Sequence, residues 1–458
     1  MHMNPKFFNF KPLQGLVLLC FLLFSFNSFA QEEEKVEEKK EKVTKLDLKS
    51  ASEQFNKYRR SSLHTMLLVD EGVPRKELVL EAFDSAPFPD KYNDHTVDGK
   101  HIPVVVPLRD TSDLFKRNDM DFSKDIEAYF AKNKTANKLV AKWFCRDENG
   151  AFNMSLIQER GFYDASVLDV SSAQATGRGT ASLADAGEDL IANTFVVVNF
   201  SSFVSNEPYA RIIKEKAYSL ADKFGEEIGK TMKEAADSLY SQGKDGYSIW
   251  TTAYLYELVW DDYTSAVFYK NLWVSPSKMD SSRVAAFDTT DVFKLKLLGF
   301  EKSRALITGL GDNAASEEMI IKNATIKSID AGYAKLQKKF ERFRSKSVLF
   351  SVEPLAAKIG MKEGVEKNDK FEVLEQVIDK DGKMTYKKLT VIKVEKDHIW
   401  DNRYRADEGR PEEAEPAEIK LDENGNPIIV EVEEVEEWTT FKGKTKDLYP
   451  GLLIRQIK

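Results

Sequence analysis

The stretch from residue 248 to residue 260 constrains the possible folds of this chain more than any other feature of the sequence. It is apolar at both alternating sets of positions, so as a β-strand it would present apolar side chains to both faces of a sheet. A strand of this kind has to be covered on both sides. The chain is therefore expected to contain a layered domain built around this strand. The two sets are Ile249, Ala253, Leu255, Val259 and Trp250, Tyr254, Tyr256, Leu258, Trp260.

Shorter runs of apolar residues predict further strands. Residues 266–274 follow a turn-like Asp261-Asp262 and are expected to form an antiparallel hairpin with 248–260. Residues 192–200 are dense in β-branched side chains, as a buried strand would be. The remaining candidates are residues 66–69, 78–80 and 102–106.

Three segments carry apolar residues at the three- and four-residue steps of an amphipathic helix. They are residues 125–144, 208–240 and 316–343. Pro208 suits a first helical turn and Gly243 a stop. The long second segment carries Ile213, Ala217, Leu220, Phe224, Ile228, Ala235 and Leu239, and the third carries Ile326, Ile329, Tyr333, Leu336, Phe340 and Phe343.

After residue 345 the pattern changes to short strands. Residues 371–377 and 384–394 are joined through Asp381-Gly382, a strong hairpin signal. Residues 348–352 and 448–457 predict two more strands. Residues 406–437 hold thirteen acidic and two basic residues around a second turn, Asn424-Gly425. This part is expected to be a small β-barrel or sandwich with an acidic projecting hairpin.

The fold class is therefore expected to be α+β, with a mixed α/β domain whose long amphipathic helices pack on a sheet, and a small C-terminal β domain. The expected divisions are a signal peptide at 1–30, a charged tether at 31–50, a strand-containing segment at 51–107, the α/β domain at 108–345 and the β domain at 346–458.

Residues 1–30 have the three parts of a cleavable leader. A short basic start is followed by an apolar run shorter than a spanning helix needs, and small residues precede a cleavage position between Ala30 and Gln31. An uncleaved membrane anchor is the alternative. Cys20 lies inside the apolar run, not directly after the cleavage position, so lipidation is not expected. The mature chain is expected to be periplasmic or secreted, with no transmembrane segment.

Cleavage would leave Cys145 as the single cysteine, so no intrachain disulfide is expected. Its neighbours in Trp143-Phe144-Cys145 favour a buried apolar role over a reactive thiol. The net charge of −8 argues against nucleic acid as a partner, because binding it needs a basic surface.

No motif predicts a catalytic residue, a cofactor site or a metal site. His95 and His101 are six residues apart, which is no usual metal spacing. Asp379-x-Asp381-Gly382 lacks the further ligands of a calcium loop. Two glycine-rich spots, at 177–180 and 309–311, do not extend to a phosphate-binding motif. The acidic residues Asp185, Glu188 and Asp189 are expected to favour a helix start.

Two stretches resemble known families. Residues 152–157, Glu159-Arg160-Gly161 and residues 185–198 resemble the strand–"ER"–helix–helix–strand unit of TolB amino-terminal-like and curli-secretion-lipoprotein-like domains. Lys358-Ile359-Gly360-x-Lys362-x-Gly364-Val365, with Asp369-x-Phe371-x-Val373, is similar to the C-terminal β-domain of flagellar-assembly T-type proteins. The resemblance implies an α/β domain, a small barrel and a non-enzymatic role in envelope assembly.

The sequence therefore favours an exported protein, of undetermined oligomeric state, that scaffolds or binds other envelope proteins. Two alternatives remain. One is a hydrolase acting on envelope polysaccharide or peptide with a site built from loops, and the other is a surface ligand-binding protein. A polar cluster in a deep pocket would favour the hydrolase, whereas a flat apolar patch would favour the interaction protein.

Overall fold

A computed structural model describes ten segments of the chain, all of them within one compact unit, Ala51–Lys458. They are residues 61–71, 76–104, 120–164, 190–308, 317–378, 384–396, 398–406, 420–421, 427–428 and 437–457. The predicted leader with Ala30 and Gln31, the tether, the two glycine-rich spots, Asp185–Asp189 and the turn at 379–382 lie outside these residues.

The larger part of the fold is a mixed sheet of six strands. The strands are β1 (Ser62–Asp70), β2 (Asn93–Asp94), β3 (His101–Val104), β4 (Thr194–Ser205), β5 (Gly246–Val259) and β6 (Lys294–Thr308). Their order is β2-β1-β4-β5-β6, and β3 also pairs with β1. β1 runs parallel to β2, β3 and β4, whereas β5 runs antiparallel to both of its neighbours.

Nine α-helices accompany these strands in the described residues. They are α1 (Lys76–Ser85), α2 (Ser123–Asn133), α3 (Thr135–Trp143), α4 (Ser155–Asp164), α5 (Glu207–Ala221), α6 (Glu226–Gly243), α7 (Asp262–Val267), α8 (Ser281–Thr289) and α9 (Glu317–Lys339). Short turns of other helix types lie at Ile191–Asn193, Phe268–Leu272, Glu341–Phe343 and Met361–Glu363.

Strand β5 is covered on both faces, which confirms the prediction made from its two apolar sets. Tyr254 and Tyr256 lie in a core with residues of α2, α3, α4 and α8. Ala253 and Leu255 lie in a second core with residues of α1 and α9. The sheet is therefore the middle layer of three, and the fold class is α+β.

Two predicted strands of this domain are helices. Residues 78–80 lie in α1, where Val79, Ala82 and Phe83 are buried at helical spacing. Residues 266–274 do not pair with β5, because the carboxylate of Asp261 accepts a hydrogen bond from the Thr264 N–H and begins α7. A short apolar run does not by itself distinguish a strand from a buried helix.

The families' first strand, expected at residues 152–157, is also absent, and α4 begins at Ser155. The later strand of that unit, around Phe195–Val198, is confirmed within β4. Residues 102–104 form β3 with alternating exposure, so this strand is buried on one face alone.

Two of the predicted long helices are broken. Lys134, with a φ of 51°, separates α2 from α3 in the left-handed conformation. The segment 208–240 forms α5 and α6, which end and begin on either side of residues 222–225. The third predicted helix, 316–343, is confirmed as α9 followed by a single turn at Glu341–Phe343.

The C-terminal part is a closed β-barrel, as one of the two forms expected. Its strands are β7 (Lys346–Val352), β8 (Leu355–Ala357), β9 (Lys370–Ile378), β10 (Met384–Val394), β13 (Thr439–Lys442) and β14 (Leu453–Ile457), in the order β10-β13-β8-β7-β14-β9. Between β10 and β13, β11 (Lys420–Leu421) pairs antiparallel with β12 (Pro427–Ile428), as the turn at Asn424-Gly425 indicated.

Candidate functional site

Helices α5 and α6 form an antiparallel hairpin between β4 and β5. Small residues bring the two helices close together, since Ala221, Gly229 and Ala236 are all buried. A Cβ atom at Gly229 would lie 2.9 Å from the carbonyl oxygen of Ala221. The two helices therefore approach each other closely where Gly229 meets Ala221.

Ion pairs join the two helices at the edges of this contact. Lys214 Nζ lies 2.6 Å from Asp237 Oδ1, and Lys233 Nζ lies 2.6 Å from Asp222 Oδ1. The hydroxyl of Tyr218 donates to Asp237, and the hydroxyl of Tyr240 donates to Glu207. All of these groups are at the surface, so the pairs fix the geometry of the hairpin more than its stability.

Four large aliphatic side chains on the hairpin face solvent. Their exposed fractions are 62% for Ile213, 41% for Leu220, 58% for Ile228 and 64% for Leu239. Each pair lies on one side of its own helix, since seven and eleven residues are close to whole numbers of turns. Going around each helix axis from the side that contacts the other helix, the exposed pair is reached in the same direction of rotation on α5 and on α6. Because the two helices are antiparallel, both exposed pairs then lie on one face of the hairpin. We call these four residues the apolar face.

A cleft lies on the side of α9 opposite to its buried apolar residues, between the helix and the barrel. It has a volume of about 490 Å³. Its floor is apolar, with Ala305 of β6, Ala331 and Ala334 of α9, and Met361. Its polar side chains are Arg304, Lys327, Asp330, Lys362, Asp401, Arg403, Tyr404 and Arg405.

The glycines of the second family-like motif shape one wall of this cleft. A Cβ atom at Gly360 would lie 2.4 Å from the carbonyl oxygen of Trp400, so the chain at 400–402 can approach it. Gly364 has a φ of 80°, which favours glycine, and it ends the turn Met361–Glu363 that carries Lys362. Phe371 and Val373 of the same motif lie in the barrel core.

Two buried carboxyl groups hold the wall of the cleft in place: Asp330, which also lines the cleft, and Glu363 next to it. Glu363 Oε2 accepts hydrogen bonds from the Gly360 N–H at 2.8 Å and from the Asn402 amide at 3.0 Å. Asp330 accepts a hydrogen bond from the Tyr404 N–H and lies 3.8 Å from Lys362 Nζ. Burial raises the pKa of both carboxyl groups above their ordinary values. These contacts fix residues 400–404 against α9.

A buried polar cluster lies at the amino-terminal ends of β1 and β4, and the "ER" motif supplies its centre. Arg160 donates to the Ser62 hydroxyl at 2.8 Å and to His95 Nδ1 at 3.0 Å. Its guanidinium lies 4.4 Å from the centre of the Trp143 ring. His95 Nε2–H in turn donates to the Leu139 carbonyl at 2.9 Å. Since Arg160 lies between serine and histidine, this is not the arrangement of a nucleophile and its base.

The remaining residues singled out in the sequence are not brought into one site. His95 is buried, whereas His101 is exposed and contacts Asp84. Cys145 is half-buried beside the Ser155 hydroxyl, so the expectation that it is buried is wrong. Within the described residues, no group of three or more His, Cys, Asp or Glu side chains could hold a metal ion.

The sequence named the residues of the apolar face and of the cleft wall but not their roles. Ile213, Leu220, Ile228 and Leu239 fit the spacing of an amphipathic helix, but the structure exposes all four to solvent. The cleft combines α9, the Gly360 turn and residues 401–406, which no local pattern could bring together.

Within the part of the chain that the structure describes, no helix combines the length and the hydrophobicity of a membrane-spanning segment. Searches against models of known protein families and against curated proteins found no match to this chain.

Proposed function

We propose that this chain is an exported, non-enzymatic protein that binds other proteins of the cell envelope through the apolar face of the α5–α6 hairpin. Export rests on the leader pattern before Gln31. The interaction role rests on one observation, the exposure of Ile213, Leu220, Ile228 and Leu239 on one face.

Solvent-exposed clusters of large aliphatic side chains mark interaction surfaces in folded proteins. Burying such a side chain contributes about 1.5–3 kcal/mol. Four on one face could therefore supply a substantial part of a protein–protein contact. Because surface ion pairs and small residues set the hairpin geometry, the aliphatic side chains are not needed to hold the two helices together.

The partner is proposed to be a different envelope protein with a complementary apolar surface. A helical hairpin that presents spaced aliphatic side chains suits recognition by a hydrophobic groove. The family resemblance supports the same class of role, since it implies envelope assembly.

The test is photo-crosslinking in cells that express the full chain. A photoreactive amino acid is placed at Leu220 or Leu239, and the control positions are Ser219 and Ser241, which are exposed on other sides of the hairpin. We expect adducts with a single envelope protein from the first two positions and none from the controls. Mass spectrometry identifies the partner.

Loss of function is tested by replacing all four aliphatic residues with serine. The variant should remain folded and lose the adduct. Equal adducts from the control positions, adducts with the chain itself alone, or turnover of envelope polysaccharide or peptide by the purified chain would contradict the proposal.

A further inference from the structure

The cleft beside α9 has a charge opposite to that of the chain as a whole. The protein carries a net charge of −8. The cleft is lined by five cationic side chains and two acidic ones. The cations come from three separate places: Arg304 from β6, Lys327 from α9, and Lys362, Arg403 and Arg405 from the barrel side.

Contacts within the protein hold several of the cationic residues in place around the cleft. The guanidinium of Arg304 lies 5.0 Å from the Trp250 ring centre and donates to the Ser248 hydroxyl at 3.0 Å. Arg403 forms two hydrogen bonds with Asp401, at 2.8 and 2.6 Å. The Lys362 N–H donates to Asn402 Oδ1 at 2.8 Å, so the backbone on that side is fixed as well.

The chemistry and size of the cleft point to a small anion. Guanidinium groups match phosphate and carboxylate oxygens in charge and geometry, and lysine supplies further positive charge. A volume of about 490 Å³ lies within the range of small-molecule sites. The alanine floor and the Tyr404 ring would contact the uncharged part of such a molecule.

We propose that this cleft binds a small organic molecule that carries at least two negative charges, as phosphate or carboxylate groups. Lys327, Lys362 and Arg405 are the half-buried cations that would contact the charges. Asp330 also lines the cleft, 3.8 Å from Lys362 Nζ, and its carboxylate limits the affinity because it repels an anionic ligand. This site is independent of the apolar face and does not rest on the proposed function.

The proposal is tested by isothermal titration calorimetry of the full chain with two probes, inorganic pyrophosphate and citrate. Saturable binding of one site per chain is expected for at least one probe, and the tighter probe tells phosphate from carboxylate recognition. The double variant Lys327→Gln/Arg405→Gln should bind that probe at least tenfold more weakly.

A matched control removes two charges elsewhere. Lys124 and Lys132 are exposed on α2, which packs on the opposite face of the sheet from α9. The variant Lys124→Gln/Lys132→Gln has the same net charge as the double cleft variant and should bind as the unmodified chain does.

A third variant is expected to raise the affinity for the probe instead of lowering it. Misfolding of the variant cannot produce this result. Asp330→Asn keeps an oxygen for the Tyr404 N–H and removes a negative charge from the cleft, so binding should tighten several-fold. The proposal is overturned if neither probe binds saturably, if the α2 control loses as much affinity as the cleft variant, or if Asp330→Asn weakens binding.

Discussion

Helix α9 and the α5–α6 hairpin carry apolar residues at the same spacing, yet one is enclosed and the other is not. In α9, Ile321, Ile326, Ile329 and Leu336 are all buried, and the helix packs on the sheet, on α1 and against the turn before the barrel. In the hairpin, the buried residues are Tyr209, Ala221, Gly229 and Ala236, and the four side chains of the apolar face are exposed to solvent.

The difference shows that helical periodicity and coverage of the apolar side are separate properties. Periodicity follows from the chain itself, whereas coverage depends on what the rest of the fold brings to that side. The covered helix contributes to the core of this chain. The uncovered hairpin leaves its apolar face exposed to solvent.

The sharpest test of this comparison is a pair of identical truncations. Leu336 is fully buried and Leu239 is 64% exposed. Leu336→Ala should lower the free energy of unfolding by about 2–5 kcal/mol, because it leaves a cavity in a close-packed core. Leu239→Ala should change it by less than about 0.5 kcal/mol. Urea denaturation measures both.

The two transitions should have the same slope as the unmodified chain, so that the midpoints report stability. Substitutions at the surface usually change the free energy of unfolding by less than about 0.5 kcal/mol. If Leu239→Ala lowered it by more than about 1 kcal/mol, the apolar face would be part of this chain's own core.

The second prediction uses pH to separate the enclosed region from the hairpin. Burial lowers the pKa of His64 to about 4, and within the described residues its Nε2–H has no hydrogen-bond partner. His64 is thus neutral in the folded chain but takes a proton in the unfolded chain below a pH of about 6.5. The contribution of neutral His64 to the free energy of unfolding is fully present above pH 6.5 and is lost as the pH falls towards 4.

The variant His64→Asn isolates this effect, since an asparagine oxygen can accept the hydrogen bond that the Val97 N–H donates to His64 Nδ1. Between pH 7 and pH 4 the unmodified chain should lose about 3 kcal/mol more stability than the variant, at about 1.4 kcal/mol per pH unit. Parallel pH profiles of the two proteins would show that His64 is protonated, or accessible to water, in the folded state.

Much of the architecture follows from local sequence pattern. The two apolar sets of β5, the β9–β10 pairing and the extent of α9 were all predictable, because each is a periodic signal over many residues. The strands expected at 78–80 and 266–274 were wrong for one physical reason. A run of a few apolar residues fits either a strand or a helix, and the deciding contacts, such as the Asp261 cap, are single hydrogen bonds.

The candidate sites were less predictable, since each depends on residues far apart in the chain. Arg160 was named as part of a motif, but its contact with Ser62 spans 98 positions. The cleft joins Asp330 to Tyr404 across 74 positions. The apolar face was visible as a pattern, but its exposure depends on the absence of other described elements over it.

The third prediction tests whether the hairpin is a local unit. A leucine at Gly229 has no room beside the Ala221 carbonyl, so Gly229→Leu should separate α5 from α6. Amide hydrogen exchange in residues 207–243 should rise strongly, with little change in α9 or the barrel. Gly243→Leu is the matched control, because a Cβ atom there meets nothing within 4 Å.

If Gly229→Leu also raised exchange in α9, the hairpin would be coupled to the enclosed core and the contrast between the two regions would fail. If Gly243→Leu had the same effect as Gly229→Leu, the cause would be the leucine itself and not the close approach of the two helices.

The smallest expected effect compares one ion pair from each region. Lys214 Nζ lies 2.6 Å from Asp237 in the hairpin, whereas Lys362 Nζ lies 3.8 Å from the buried Asp330 beside α9. Distance alone would make the hairpin pair the stronger one. Water screens the exposed pair, however, and the half-buried lysine and buried carboxylate interact through a less polar medium.

Double-mutant cycles in urea, with lysine changed to glutamine and aspartate to asparagine, measure the coupling within each pair. The coupling for Lys362 and Asp330 should be about 1 kcal/mol, since neighbouring groups with shared contacts are rarely additive. For Lys214 and Asp237 it should be too small to detect and should not change with salt. A larger coupling in the hairpin would mean that charge, and not the packing of Gly229 on Ala221, holds that exposed unit together.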